Sequence, residues 1–294
     1  MSMVPLTKGV FVRFAGVAAL AVAGFSHGAQ NTSAEEWNKS YTVAGRAHVR
    51  VDTNDGAVRI STGDTKQVEL RVIYEGYKLD KNLTIVSRQE GDQVEVSARA
   101  HGGIGFSWGI NHRTLRVEVH MPREADLNVE TGDGSVEAQA ITGSLDIHTG
   151  DGHIRVDGAH GDIRLRTGDG SIEGRDLDGK VDADTGDGHV TLEGRFDALN
   201  IKTGDGSVTA RVGAGSKLAT GWKIHTGDGS VDVSLPGDLQ ANIDASTNDG
   251  RISLGIPVTV EGTFSNSRIS GKMNGGGQQL LIHTGDGSIH LSKT

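Results

Sequence analysis

"TGDGSVEAQAITGSLDIH" (131–148), "TGDGHIRVDGAHGDIRLR" (149–166), "TGDGSIEGRDLDGKVDAD" (167–184) and "TGDGHVTLEGRFDALNIK" (185–202) follow one another without a gap, and a further TGDG opens at residue 203. A fixed period of 18 residues is the mark of a repeat architecture. Before each new Thr, apolar residues alternate with polar ones: Leu145 and Ile147, Ile163 and Leu165, Val181 and Ala183, Leu199 and Ile201. That is the period of a strand with one buried face, and the Thr shares the buried parity. After the turn, Val136, Ile154, Ile172 and Val190 open a second short strand, and Gly143, Gly161, Gly179 and Asp197 mark a second corner. Each unit reads strand, turn, strand, turn. No unit this small buries its apolar face alone, so neighbours must stack and share a core. The expected fold is all-β, a β-solenoid with coils of about 18 residues. An antiparallel meander, with Asp-Gly as a two-residue hairpin turn, is the alternative.

The motif also occurs at 226 and 284, and as TNDG at 53 and 247. Beyond residue 203 the intervals become 23, 21 and 37. The first two imply insertions around "GAGSKLATGW" and "PGDLQ"; the third is close to two periods, with "SNSRIS" (265–270) standing where a worn TGDG turn is expected. Upstream, "AHVRVDTNDGAVRI", "KQVELRVIY", "LTIVSRQ", "DQVEVSARA" and "LRVEVHMP" are alternating strands of less regular spacing, interrupted by the Gly-rich "HGGIGFSWGINHR" (101–113). The chain divides into an export signal (1–29), an irregular β-strand region (30–125) and a TGDG-repeat solenoid (126–294).

The signal is read from Lys8 and Arg13, an apolar run from Phe14 to Phe25, and small residues from Ser26 to Ala29. The run is shorter than the roughly 20 residues of a spanning helix, and no second candidate follows, so no transmembrane segment is expected after signal removal. Without residues 1–29, 27 basic side chains face 38 acidic ones, a net charge of −11 with His neutral. Nucleic acid, which needs a concentrated basic surface, is excluded as a partner. The chain has no Cys, which removes disulfides, thiol catalysis and thiolate metal sites.

Stacked coils place Asp133, Asp151, Asp169, Asp187, Asp205, Asp228, Asp249 and Asp286 in a column. We read these as structural turn residues, each hydrogen-bonding its own turn. At about 4.8 Å spacing in water, neighbouring carboxylates repel by only roughly 1 kcal/mol, so the column needs no cation. The turn glycines are expected to supply positive φ, with the Asn of TNDG obeying the same rule. Calcium needs six to eight oxygens, and one turn Asp per 18 residues does not match the nine-residue calcium β-roll; no cofactor is expected, with calcium as the weaker alternative. Gly-x-Gly here leads into a strand and never a helix, which removes the phosphate-cradle reading. His148 with His153, and His283 with His290, flank turns without a third His and a carboxylate. No His-Glu-x-x-His occurs, and Gly-x-Ser-x-Gly occurs twice, as GFSHG (24–28) in the signal and GFSWG (105–109) in the Gly-rich loop, neither with the strand-to-helix setting that a nucleophile elbow requires. Departures from the repeat are the better places for recognition. Phe106 and Trp108 in the Gly-rich loop and Trp222 beside an insertion are the candidate surface contacts, each with the competing placement of packing back onto the solenoid.

From "VRVDTNDGAVRI" (49–60) through "LRVEVHMPREADLNVETGDGSVE" (115–137) to "ISGKMNGGGQQLLIHTGDGSIHL" (269–291), the layout resembles the bacterial putative-adhesin family, exported β-strand-repeat proteins that form a domain of unknown function. The resemblance implies a right-handed β-helix-like fold and an exported location, and it brings no catalytic residues. Architecture and the lack of any catalytic motif in its required structural setting predict a non-enzymatic, exported adhesin or cell-envelope interaction scaffold, in periplasm, at the cell surface or secreted. Its partner would be an envelope polymer or a surface protein. The alternatives are a polysaccharide-active β-helix enzyme, which two carboxylates meeting on one face would require, and a calcium-stabilised repeat protein.

Overall fold

Seven strands precede the repeat: β1 (Glu35–Thr42), β2 (Ala47–Thr53), β3 (Ala57–Gly63), β4 (Gln67–Glu75), β5 (Leu83–Glu90), β6 (Gln93–Ala100) and β7 (Thr114–Pro122). The repeat itself folds as β8 (Ala125–Thr131), β9 (Val136–Gln139), β10 (Thr142–Thr149), β11 (Ile154–Asp157), β12 (His160–Thr167), the long β13 (Ile172–Thr185) and β14 (Val190–Thr203), and β15 (Val208–Val212). The looser C-terminal part adds β16 (Trp222–Thr226), β17 (Val231–Leu235), β18 (Ala241–Thr247), β19 (Ile252–Leu254), β20 (Thr259–Val260), β21 (Arg268–Met273), β22 (Gln279–Thr284) and β23 (Ile289–Lys293). This computed structural model describes residues 34–101, 113–260 and 265–294; the segment 1–29 expected to be a signal, Phe106 and Trp108 lie outside the described residues.

Every TGDG coil pairs with its neighbours in parallel, with Leu145 beside Ile163, Ile163 beside Val181 and Val181 beside Leu199; only β13 and β14 slip out of register, between Gly174 and Leu177 and again after Gly179, where Asp197 is the extra residue. Two ladders result, joined through the turns. The first runs β5-β6-β2-β8-β10-β12-β13-β14-β16-β22-β18-β21-β20. The second runs β1-β4-β7-β3-β9-β11-β13-β14-β15-β17-β23-β19. Parallel pairing at every repeat turn makes the fold a β-solenoid and removes the meander. Antiparallel pairs occur only toward the ends, where β5, β4 and β1 close one end and β21 and β20 the other. The two-residue β20 and three-residue β19 leave little free edge for another chain to extend. Ser33–Thr294 is one compact unit, and the first ladder crosses residue 125 through the β2–β8 pair.

Inward residues form one continuous core from Val43 to Leu291, built almost wholly of Val, Ile, Leu and Ala. Among the described residues the buried polar side chains are Ser216 and nine threonines, Thr53, Thr131, Thr149, Thr167, Thr185, Thr203, Thr226, Thr284 and Thr247, the threonines all 6% exposed or less. Their hydroxyls close the turns. Thr185 Oγ1 accepts from the Gly188 N–H at 3.2 Å and donates to the Gly170 carbonyl of the preceding coil at 2.9 Å. The pattern repeats at Thr149, Thr167 and Thr203, so each buried hydroxyl is satisfied and ties two coils together.

Two sequence expectations about the turn need correction. None of the TGDG or TNDG residues has positive φ; the left-handed positions lie at the second corner, in Ala140, Gly143, Gly158, Gly161, Asp176 and Gly179. The turn glycines are required by stacking instead. A Cβ on Gly152, Gly170, Gly188 or Gly206 would overlap the carbonyl oxygen of the equivalent glycine one coil earlier. Among the described residues no Asp carboxylate of the column hydrogen-bonds its own turn; in the coils of Thr149 to Thr203 the turn Gly N–H goes to the Thr hydroxyl instead.

The order of the coils departs from the order of the chain. β16 pairs with β22, and β22 in turn with β18; likewise β17 with β23 and β23 with β19. After Leu235 the chain therefore skips one place, builds the coil of Thr247, turns back through antiparallel β20 and β21, and fills the skipped place last with residues 279–294. "SNSRIS" is thus no worn repeat turn. It stacks over the Thr247 turn, where Asn266 and Ser267 carbonyls accept from Ile252 and Thr247 N–H, but its strand runs the opposite way. The two TNDG coils are the terminal coils of the turn column. At the first, Asn54 exchanges two hydrogen bonds of 2.8 Å with the Ala100 backbone, a contact no glycine could make.

Candidate interaction face

Outward residues of the first ladder stand in straight rows across the coils, because the parallel register repeats the same position every coil. One row is Ser144, Asp162, Lys180 and Ala198; the next, two residues further along the strands, is Asp146, Arg164, Asp182, Asn200, Lys223 and Leu281. Between the rows runs a groove of about 660 Å³, closed at its far side by Thr220, Gly221 and Gln279. Its position follows from the first insertion. Residues 217–219 bond along Phe196 and Asp197, after which the ladder reopens only at Asn200 with Lys223, leaving a break in pairing beside Ala198.

Charges in the groove are mostly compensated. Lys180 pairs with Asp162 at 3.3 Å, and Arg164 with Asp146 at 3.2 Å and Asp182 at 3.8 Å. Asp182 also accepts from Asn200 Nδ2 at 2.6 Å. Lys223 has no ion-pair partner among the described residues. Trp222 lies at the base, 1% exposed, edge-on to Phe196 with ring centroids 6.3 Å apart, and its indole Nε1 is a buried donor without a partner. Of the two placements open to Trp222, the structure takes the packed one: it is a core residue and offers no exposed contact. Its position directly after the insertion brings the inward parity of β16 onto it. The insertions around residues 213–221 and 236–240 converge with 273–278, where Asn274 Nδ2 donates to the Gly237 and Leu239 carbonyls, and enclose a second notch of about 320 Å³.

The eight turn aspartates Asp133, Asp151, Asp169, Asp187, Asp205, Asp228, Asp249 and Asp286 are all exposed in a column along one edge. Carboxylates such as Asp151 lean along the axis over the first glycine of the next coil. No three His, Asp or Glu side chains gather as a metal-ligand group among the described residues. The acids with a shifted ionisation are held low. Backbone N–H groups of Gly45 and Ala44 hold the Asp92 carboxyl below the usual carboxylate range, and the Arg195 guanidinium does the same to Asp178. A general acid needs the opposite shift.

Histidines play two structural parts that the sequence did not disclose. His153 and His189 follow the turn in alternate coils, and each Nδ1 accepts the backbone N–H of the Ser one coil on, Ser171 and Ser207, at 3.1 Å. His225 and His283 occupy equivalent places in adjacent coils and stack with centroids 5.3 Å apart and planes 9° from parallel. Burial, His283 and Lys202 lower the His225 pKa below its ordinary 6.5. With the folded value depressed, the unfolded chain takes up the proton first, so this stabilisation is complete above about pH 6.5 and is lost as the pH falls further. Melting temperatures at pH 7.5 and 5.5 should differ, and His225→Gln should shrink that difference; an identical difference in the variant would remove the His stack as its source.

No helix among the described residues is long and apolar enough to cross a membrane. No curated protein matches the chain. Among solved structures it is similar to a putative cell adhesion protein from Clostridium sporogenes, at 17% identity over 88% of this chain and 100% of that one, with a TM-score of 0.32. It is also similar to a putative adhesin from Bacteroides fragilis (10% identity, 88% and 98% covered, TM-score 0.44) and to a putative lipid binding protein from Parabacteroides distasonis (15% identity, 88% and 97% covered, TM-score 0.46). Residues 47–292, from the first solenoid strand to the last, match the Toastrack DUF4097 family, and the chain belongs to that family.

Proposed function

We propose that the protein is a non-enzymatic, exported scaffold that presents its rigid ladder faces to a component of the cell envelope, in the manner of an adhesin. The observation that carries this reading is the disposition of the charges. Along the rows, acids are tied pairwise to basic side chains of neighbouring coils, as in Arg155 with Glu173 and Arg50 with Glu130, and the two acids that line the groove, Asp162 and Asp182, are themselves ion-paired with Lys180 and with Arg164 and Arg166. Such rows suit a long, repetitive contact, and loops set on a rigid frame suit recognition. The adhesin-type names of the similar structures agree with the reading. Export rests on the N-terminal Lys8, Arg13 and apolar run.

The full-length chain expressed in a bacterial host should be recovered with a new N-terminus close to residue 30 and should co-sediment with cell-envelope fractions without releasing sugar products. Recovery with Met1 intact inside the cell would contradict export, and release of reducing ends would contradict the non-enzymatic reading. No cofactor belongs to the proposal: equal melting temperatures with calcium and with chelator are expected.

A further inference from the structure

We infer that the groove beside Lys223 binds an extended acidic oligosaccharide, with one sugar carboxylate held by the Lys223 ammonium. The inference rests on the scaffold reading above and names its ligand.

The direction of the groove selects a linear ligand. It crosses the coils from Ser144 to Gln279, so it runs along the solenoid axis for roughly 24 Å at about 4.8 Å per coil. Its depth comes from small residues, Ala198 and Gly221, set between longer neighbours. Its lining selects a hydroxyl-rich chain. Donors and acceptors alternate from coil to coil, with Ser144, Asp162 and Lys180 on one side and Arg164, Asp182 and Asn200 on the other, which is what successive sugar hydroxyls require and what an acyl chain cannot use. A peptide strand would need an open sheet edge, and the floor here is the outer face of a paired ladder. Nucleic acid is opposed by the chain's net charge of −9 and by the carboxylates in the lining.

The sign of the ligand follows from local charge. Asp162 is ion-paired with Lys180, and Asp182 with Arg164 and Arg166 while accepting a hydrogen bond from the Asn200 amide, so they present acceptors more than free charge. Lys223 is without an anion among the described residues, and it lines the groove beside Thr220 and Gly221 of the insertion. A carboxylate on the ligand completes that pair. A charge-assisted hydrogen bond in a half-enclosed site is worth enough to change affinity by about tenfold or more.

The test is titration of the full-length chain with hexagalacturonate, followed by calorimetry and by tryptophan fluorescence, since Trp222 lies at the groove base. Saturable binding is expected, with Kd raised about tenfold or more in Lys223→Gln, largely restored in Lys223→Arg, and raised similarly for cellohexaose, which lacks the carboxylates. Digalacturonate, spanning fewer coils, should bind more weakly than the hexamer. Lys223 is exposed, so both variants should keep the parent melting temperature. No saturable binding of hexagalacturonate, or equal affinity in Lys223→Gln, overturns the inference. Co-sedimentation with envelope that persists unchanged in Lys223→Gln would end this inference while leaving the scaffold reading in place. Cleavage of the hexamer during titration would instead end the non-enzymatic reading while the binding site stands.

Discussion

Gly188→Ala is expected to destabilise the protein by about 3 kcal/mol or more, a fall in melting temperature of roughly 6–12 °C for a chain of this size. The cause is steric and local. The Gly188 backbone is not in the left-handed region, so Ala loses nothing through φ; the added Cβ would instead overlap the Gly170 carbonyl oxygen of the preceding coil. That carbonyl also accepts the Thr185 hydroxyl, whose own acceptor site is filled by the Gly188 N–H. Pushing the coils apart therefore breaks a buried hydrogen-bond relay as well as core contacts. Ser230→Ala, at an exposed position after the same kind of turn, should stay within about 0.5 kcal/mol of the parent. Thermal unfolding of the two variants decides the point, and a Gly188→Ala protein that melts with the parent would mean the turns do not approach as described.

Removal of residues 279–294 should have the largest effect of any terminal truncation. These residues are last in the chain but interior in the stack, between the Thr226 and Thr247 coils. Their loss takes out the buried Leu280, Ile282, Ile289 and Leu291, with burial worth about 1.5–3 kcal/mol per side chain, and leaves β18 and β19 without their parallel partners. Limited proteolysis should then cut first within residues 236–278, while the coils from Thr131 to Thr203 stay protected. Were the coils stacked in chain order, the same deletion would only trim an end, and residues 241–254 would remain resistant.

Much of this was legible before any coordinates. The 18-residue spacing announced the solenoid, and the inward parity of Thr with Leu145 and Ile147 placed the hydroxyls in the core. The roles of the turn Gly and Asp are not legible there, since a glycine needed for close approach and one needed for positive φ look alike in sequence. The distinction appears only when a second coil is laid on the first. The coil order was hidden for a related reason: spacing counts residues along the chain, and an interval of 37 is compatible with a missing turn or with a detour. One mark of the coil order does stand in the sequence. TNDG replaces TGDG at Thr53 and Thr247, the two coils that end the turn column, and an Asn at 248 rather than at the final turn marks that coil as terminal. The groove left no trace in any motif, because it arises where an insertion interrupts pairing next to Ala198, and its lining is gathered from six separate coils.

The stacking and the displaced final coil can be tested together in this chain, which has no cysteine to interfere. Ser234 and Ser292 lie on β17 and β23 in register, their hydroxyls 2.9 Å apart. Cα separations between adjacent parallel strands fall within the range a disulfide spans. In the Ser234→Cys, Ser292→Cys double variant, oxidation should form this bond quantitatively and raise the melting temperature, as read by mass spectrometry of the digested protein and by thermal unfolding. A double variant whose thiols stay free under oxidation, while Ser234→Cys links readily to Gly255→Cys just after β19, would show coils stacked in chain order and contradict the architecture described.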